Sequence, residues 1–149
     1  MLSSNKSFLI YAIPFLLIFN FYFLPGLTDG EQTTVVFILT SFIQIGLTFL
    51  VFKLLMYILR KRKKELPNWA YGVILYVLSE CVIFIISGEV SLFGISYKLH
   101  LNTQPGDSDI LVFRQQRCFA FSMSFLIAAV VCSVAQIFGV KGKAQGDIS

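Results

Sequence analysis

Glu80 is the residue whose position in this sequence most strongly indicates chemistry. It is the only acidic residue within the four long apolar stretches of the chain. An ionised side chain near the centre of a bilayer costs a few kcal/mol on insertion scales, so such a residue is expected to have a function and a partner. Lys53 is the best-placed partner, because residue counts along the two predicted helices put their depths about 6 Å apart.

Two interpretations of Glu80 follow. The functional one is an ion or proton site, or a polar contact for a helix of another protein. The structural one is an interhelical pair with Lys53, or a protonated carboxyl group that is hydrogen-bonded to a neighbouring side chain. The sequence leaves both open, and in either case we expect Glu80 to be buried against another helix and not to face lipid.

The rest of the sequence contains no arrangement typical of an enzyme. His100 is the single histidine, which excludes a multi-histidine metal site within one chain. The cysteines form no C-x-x-C pair, and no P-loop, G-x-S-x-G or H-E-x-x-H motif is present. We therefore expect no catalytic residues, no metal site and no cofactor.

Four apolar segments must position these side chains, and a helix needs about 20 such residues to cross a bilayer. The segments cover residues 7–24, 33–60, 69–87 and 118–140. Only 13% of the residues are charged, against roughly 25% in soluble domains, so lipid is the expected solvent. The sequence predicts an all-α membrane protein, in which residues 1–149 form a single domain built as a four-transmembrane-helix bundle.

Basic residues predict the orientation of this bundle. Residues 60–64 form an unbroken run of lysine and arginine between the second and third segments. Such a run could bind nucleic acid, but directly after an apolar segment it is typical of the positive-inside rule. We therefore expect both termini and this loop in the cytoplasm, the lipid bilayer as a partner, and no nucleic acid.

The long outer loop, residues 88–117, contains a strand pattern. Apolar and polar residues alternate over residues 97–102, residues 104–107 have turn chemistry, and residues 110–113 are β-prone. These features predict a small outer β-hairpin between the third and fourth helices. An irregular loop is the alternative.

Polar and small side chains within the segments predict how the helices pack. Asn20, Gln44 and Gln136 are expected to form interhelical hydrogen bonds. Small residues recur every four positions along the fourth segment, which lets helices approach closely; they are Ala120, Ser124, Ala128 and Cys132. They could pack against the chain's own helices or against a helix of another protein.

The segment that follows the third span, residues 89–99, has the sequence EVSLFGISYKL. It resembles the segment at the same place in the immunity proteins of pore-forming colicins of the colicin A and B type. There, glutamate, leucine, two threonines, alanine and glycine precede a basic–apolar pair. Glu89, Gly94, Lys98 and Leu99 match in register, Val90 and Ser91 are conservative matches, and Leu92 and Phe93 depart from the pattern. The four-span layout is similar too, although the long soluble stretch that the family carries after its first span is missing.

The resemblance implies a bacterial inner-membrane protein that binds a membrane-inserting protein toxin inside the bilayer and keeps its voltage-driven pore from opening. Glu89, Gly94 and Lys98 would be outer recognition or loop-shaping positions. Glu80 has no counterpart in the family, so its role as a contact rests on its own physics.

Two other functions stay open. A small transporter or channel with Glu80 on its path requires a water-filled cavity and other polar residues at the same depth. An accessory subunit of a larger membrane complex requires small residues that face outward.

Overall fold

The computed structural model describes the backbone of residues 4–27, 31–62, 66–87, 89–92, 95–98 and 108–146. Side chains are described within residues 5–27, 34–62, 66–86 and 116–138. In these ranges the chain forms four α-helices and one hairpin: α1 Ser4–Leu17, α2 Glu31–Lys61, α3 Ala70–Ser87, β1 Glu89–Leu92, β2 Ile95–Lys98 and α4 Ser108–Gly146. A π-helical segment, Ile18–Phe23, and a 3-10 turn, Leu24–Gly26, continue α1.

Among the residues that the structure describes, three helical stretches are long and apolar enough to cross a membrane, namely Asn5–Gly26, Thr34–Lys61 and Gln116–Phe138. The apolar part of α3, Ala70–Ile86, is shorter. At about 1.5 Å per residue it extends roughly 25 Å, somewhat less than the ~30 Å hydrocarbon layer. The helices are therefore those of a membrane protein by length and composition, with α3 at the lower limit.

Neighbouring helices run antiparallel. The ring of Phe8 in α1 lies 4.7 Å from that of Phe49 late in α2, and the Phe52 ring lies 6.5 Å from that of Tyr71 early in α3. In the same way, the Ser133 hydroxyl late in α4 donates to the Trp69 carbonyl just before α3, at 3.0 Å. α4 packs extensively against α1 and α3, whereas α2 packs mainly against α3.

A stack of phenylalanine rings fills the core between α1 and α4. Phe15 of α1 and Phe19 of its π-helical continuation alternate with Phe121 and Phe125 of α4, and all four side chains are at most 2% exposed. The Phe19–Phe121 ring centroids are 3.9 Å apart and the Phe15–Phe125 centroids 4.3 Å apart. Offset-stacked aromatic rings attract one another beyond their burial, so this aromatic column joins the two helices.

The structure places the hairpin at a different position from the predicted one. β1 pairs with β2 in antiparallel register, with Glu89 opposite Lys98, and β1 lies against α4. The predicted return strand, residues 110–113, instead belongs to the first turns of α4, and the predicted turn at 104–107 lies outside the described residues. The prediction of that strand was wrong because β-propensity is weak where a segment can extend a long packed helix.

Candidate functional site

Glu80 lies on the face of α3 that packs into the bundle. Ser79, Glu80 and Ile83 are buried on this face, and Glu80 is only 4% exposed, whereas Val77 and Phe84 on the opposite side are exposed. This separation follows from the helical period, since residues three and four apart share a face. The prediction that Glu80 is buried against another helix is confirmed.

Two hydroxyl groups lie beside the Glu80 carboxyl group and interact with it, that of Tyr76 on α3 and that of Ser122 on α4. Neither carboxyl oxygen of Glu80 makes a hydrogen bond of ordinary geometry within the described part of the chain. A buried acceptor left in that state costs about 1–3 kcal/mol, so a proton, or a small shift of these hydroxyls toward the carboxyl group, would stabilise the site.

Tyr11 of α1 completes this group from a third helix. Its side chain is fully buried, and its hydroxyl lies 2.5 Å from the Ser79 hydroxyl oxygen. Both hydroxyls also reach the Leu75 carbonyl, Ser79 at 2.8 Å and Tyr11 at 3.4 Å, so either one can donate to the other. Tyr11 also lies within electrostatic range of Glu80. We call the five residues Tyr11, Tyr76, Ser79, Glu80 and Ser122 the Glu80 cluster.

A second set of polar contacts joins α1 to α4 nearer the N-terminal end of α1. The Gln136 amide donates to the Ser7 hydroxyl at 2.7 Å, and the Cys132 thiol donates to the Ser7 carbonyl at 3.4 Å. Toward the other end, in the π-helical continuation of α1, the Asn20 side chain bonds to Ser41 of α2 at 3.3 Å. The predicted interhelical bonds of Asn20 and Gln136 are confirmed. Gln44 differs, because its buried side-chain oxygen lacks a hydrogen bond among the residues described.

Lys53 does not pair with Glu80, and that part of the prediction was wrong. Its ammonium group donates to the side-chain oxygen of Asn5 in the first turn of α1 and lies 5.3 Å from the centroid of the Phe49 ring. Residue counting estimates the depth of a side chain along its helix but does not define the direction in which it points. Here Lys53 points toward α1, while Glu80 points toward α4.

The small residues of α4 are used inside the bundle. Ala120, Ser124, Ala128 and Cys132 are all at most 2% exposed, so the stripe faces the helices of the chain itself. The Ser124 hydroxyl bonds back to the Ala120 carbonyl at 2.8 Å, which satisfies it without another helix. An outside partner therefore does not meet this stripe.

The hairpin that follows α3 brings two of the predicted recognition residues together. Glu89 and Lys98 are direct cross-strand partners at the open end of the hairpin. Gly94 lies outside the described residues, between the two strands.

Gly72 is an important residue that the sequence reasoning missed. A Cβ atom added there would overlap the Ala129 carbonyl oxygen and the Ser133 hydroxyl of α4, and would lie 3.1 Å from the Ser133 nitrogen. Gly72 therefore sets the close contact between α3 and α4. A glycine in one apolar segment and small residues in another were the available signal, but sequence could not pair them.

Chemically, the Glu80 cluster is a carboxyl group with two hydroxyls beside it, at the junction of three helices. Such a group can hold a proton or join helices through hydrogen bonds. Within the described residues, no three histidine, cysteine, aspartate or glutamate side chains come together in a way that could hold a metal ion.

Comparisons with protein-family models, with characterised proteins and with solved structures find no match to this chain.

Proposed function

We propose that this chain is a four-span protein of the bacterial inner membrane that binds a membrane-inserting protein toxin from the side, as the immunity proteins of pore-forming colicins do. Its termini and the basic run at residues 60–64 would lie in the cytoplasm. α3 would cross the bilayer as the third span, since it packs between α2 and α4 and its length is at the lower limit for a span.

The observation that carries this proposal is that the interior of the bundle is filled throughout its described part. The aromatic column occupies the α1–α4 interface, and the Glu80 cluster is sealed between α1, α3 and α4. A transport path needs polar, water-accessible walls across the bilayer. A solid bundle with an apolar outside, and little mass beyond the helices, suits a protein that acts by lateral contact.

The outer hairpin supports recognition of something that arrives from outside. Its residues are those of the segment that resembles the immunity proteins, and β1 rests on α4 at the end of the bundle that would face outward. A toxin that inserts from the outer side would meet this end first. Glu80 faces inward, so its contribution to binding would be to hold α1, α3 and α4 in place.

The test is protection of sensitive bacteria. Cells that express the chain are exposed to the pore-forming toxin encoded beside its gene, and survival and membrane depolarisation are measured. We expect protection from that toxin and unchanged killing by a nuclease toxin that enters through the same receptor. Unchanged depolarisation, with the chain shown to be in the inner membrane, would refute the proposal.

Charge reversal in the hairpin sharpens this test. If the Glu89–Lys98 pairing shapes the recognition segment, Glu89→Lys or Lys98→Glu alone should weaken protection, and the double exchange should restore it. If each residue instead contacts the toxin directly, the double variant should protect worst of all. Exchange of the whole segment with that of a related protein should change which toxin is neutralised.

A proton or cation pathway through Glu80 is the second candidate, because the carboxyl oxygens of Glu80 lack ordinary hydrogen bonds among the described residues. It predicts a measurable flux in sealed vesicles that contain the purified chain, and loss of that flux in Glu80→Gln. Absence of any flux above that of empty vesicles would exclude it.

A further inference from the structure

A groove runs between α1 and α2 on the outside of the bundle. It has a volume of about 350 Å³, and its lining combines one polar residue with five others that are apolar: Asn5, Phe8, Leu9, Ile45, Gly46 and Phe49. Leu9 is 55% exposed, and a Cβ atom added to Gly46 would meet nothing within 4 Å. The groove is thus an open, lipid-facing cleft, and it is wide at Gly46 because glycine has no side chain to fill it.

A positive charge closes one end of the groove. The Lys53 ammonium group donates to Asn5 and lies 5.3 Å from the Phe49 ring centroid, and both partners belong to the groove lining. Neither partner is an anion, so neither offsets the positive charge of the ammonium group. Lys53 also lies on the side of the groove toward Arg60 and Lys61, the basic end of α2.

We propose that the groove binds an anionic phospholipid of the cytoplasmic leaflet, with one acyl chain along Phe8 and Gly46 and the phosphate at Lys53. The charged and apolar parts of the groove are arranged as such a lipid requires. The cation lies toward the basic end of α2, and the apolar lining continues toward the midplane of the bilayer. Lys53 lies about 10 Å farther along the helix than Gly46. A lysine side chain can reach farther toward the headgroups by snorkelling. The volume lies at the small end of ligand sites, which span roughly 300–1,000 Å³.

A helix of another protein fits this groove less well. Close helix–helix contact requires small residues repeated over several turns, and the groove offers a single glycine flanked by bulky side chains. A lipid chain is narrow and flexible, so one opening is sufficient for it. This inference rests on the membrane placement proposed above and is independent of the toxin.

The experiment is native mass spectrometry of the purified full-length chain released from vesicles of equal phosphatidylglycerol and phosphatidylcholine with identical acyl chains. We expect the chain to retain phosphatidylglycerol in preference to phosphatidylcholine. Lys53→Gln should lower that preference about tenfold, as expected for loss of a charge-assisted contact. Lys61→Gln removes the same charge outside the groove and should leave the preference unchanged. Gly46→Leu should remove bound lipid of both kinds, and Val36→Leu on the same helix should not.

Equal retention of both lipids by the unaltered chain, or equal effects of Lys53→Gln and Lys61→Gln, would overturn the proposal. So would full lipid retention in Gly46→Leu, which would place the bound lipid elsewhere on the chain. Failure of the proposed function is a separate result, because cell protection is measured without reference to bound lipid.

Discussion

Gly72→Ala should separate α3 from α4, because the added methyl group has no space. It would overlap two groups of α4, and one of them, the Ala129 carbonyl, belongs to the backbone and cannot rotate away. The helices must therefore move apart, which also stretches the 3.0 Å hydrogen bond from the Ser133 hydroxyl to the Trp69 carbonyl.

The expected loss of stability can be assembled from three contributions. Overfilling a packed contact costs about 1–3 kcal/mol, and a lost interhelical hydrogen bond adds about 0.6 kcal/mol. The better helix propensity of alanine offsets up to about 1 kcal/mol. The net loss is about 0.6–2.6 kcal/mol, which lowers the folded-to-unfolded ratio by a factor of roughly 3–80.

Unfolding of the purified chain in mixed micelles, driven by a rising fraction of sodium dodecyl sulfate, measures this difference. Trp69 is the only tryptophan and precedes α3 directly, so its fluorescence reports on the α3–α4 contact. Gly46→Ala is the matched control, since a Cβ atom there meets nothing within 4 Å; it should be as stable as the unaltered chain or slightly more so.

Equal stability of Gly72→Ala and Gly46→Ala would refute the reasoning. A further check is the double variant Gly72→Ala with Ser133→Ala. Removal of the Ser133 hydroxyl relieves one overlap and leaves the Ala129 carbonyl in place, so only part of the lost stability should return. Complete recovery would mean that the backbones are farther apart than the structure places them.

Three further predictions follow from the bundle. In a background without the native cysteines, a cysteine at Asp107 should react with a membrane-impermeant thiol reagent from outside and one at Lys63 should not; the reverse pattern would invert the orientation. Glu80→Gln should change unfolding stability by less than about 1 kcal/mol, since the amide keeps the shape and can still bond to the hydroxyls; a loss of folded protein in membranes would instead show that the charge is structural. Phe125→Ala should cost about 2 kcal/mol in the micelle assay, less than the roughly 3–5 typical in water, because lipid removes the water-transfer contribution and leaves the loss of packing. Phe119→Ala, at a lipid-facing position of α4, should cost little, and equal effects of the two would contradict the aromatic column.

Several features of the fold could be predicted from the sequence because they depend on quantities that run along the chain. α2 and α3 begin and end within two residues of the predicted segments 33–60 and 69–87, since apolar length alone determines where a membrane helix can lie. The burial of Glu80 was also predictable, because an ionisable group in an apolar helix is costly when it faces lipid.

Only the tertiary structure decided which side chains meet. A period of four places Ala120 and Cys132 on one face of α4 but does not say which helix that face contacts, and depth along α2 does not say that Lys53 turns toward Asn5. The close contact at Gly72 and the groove beside Gly46 depend on the same missing quantity, the rotation of each helix about its axis. That rotation is set by packing among all four helices at once, so no single segment carries it.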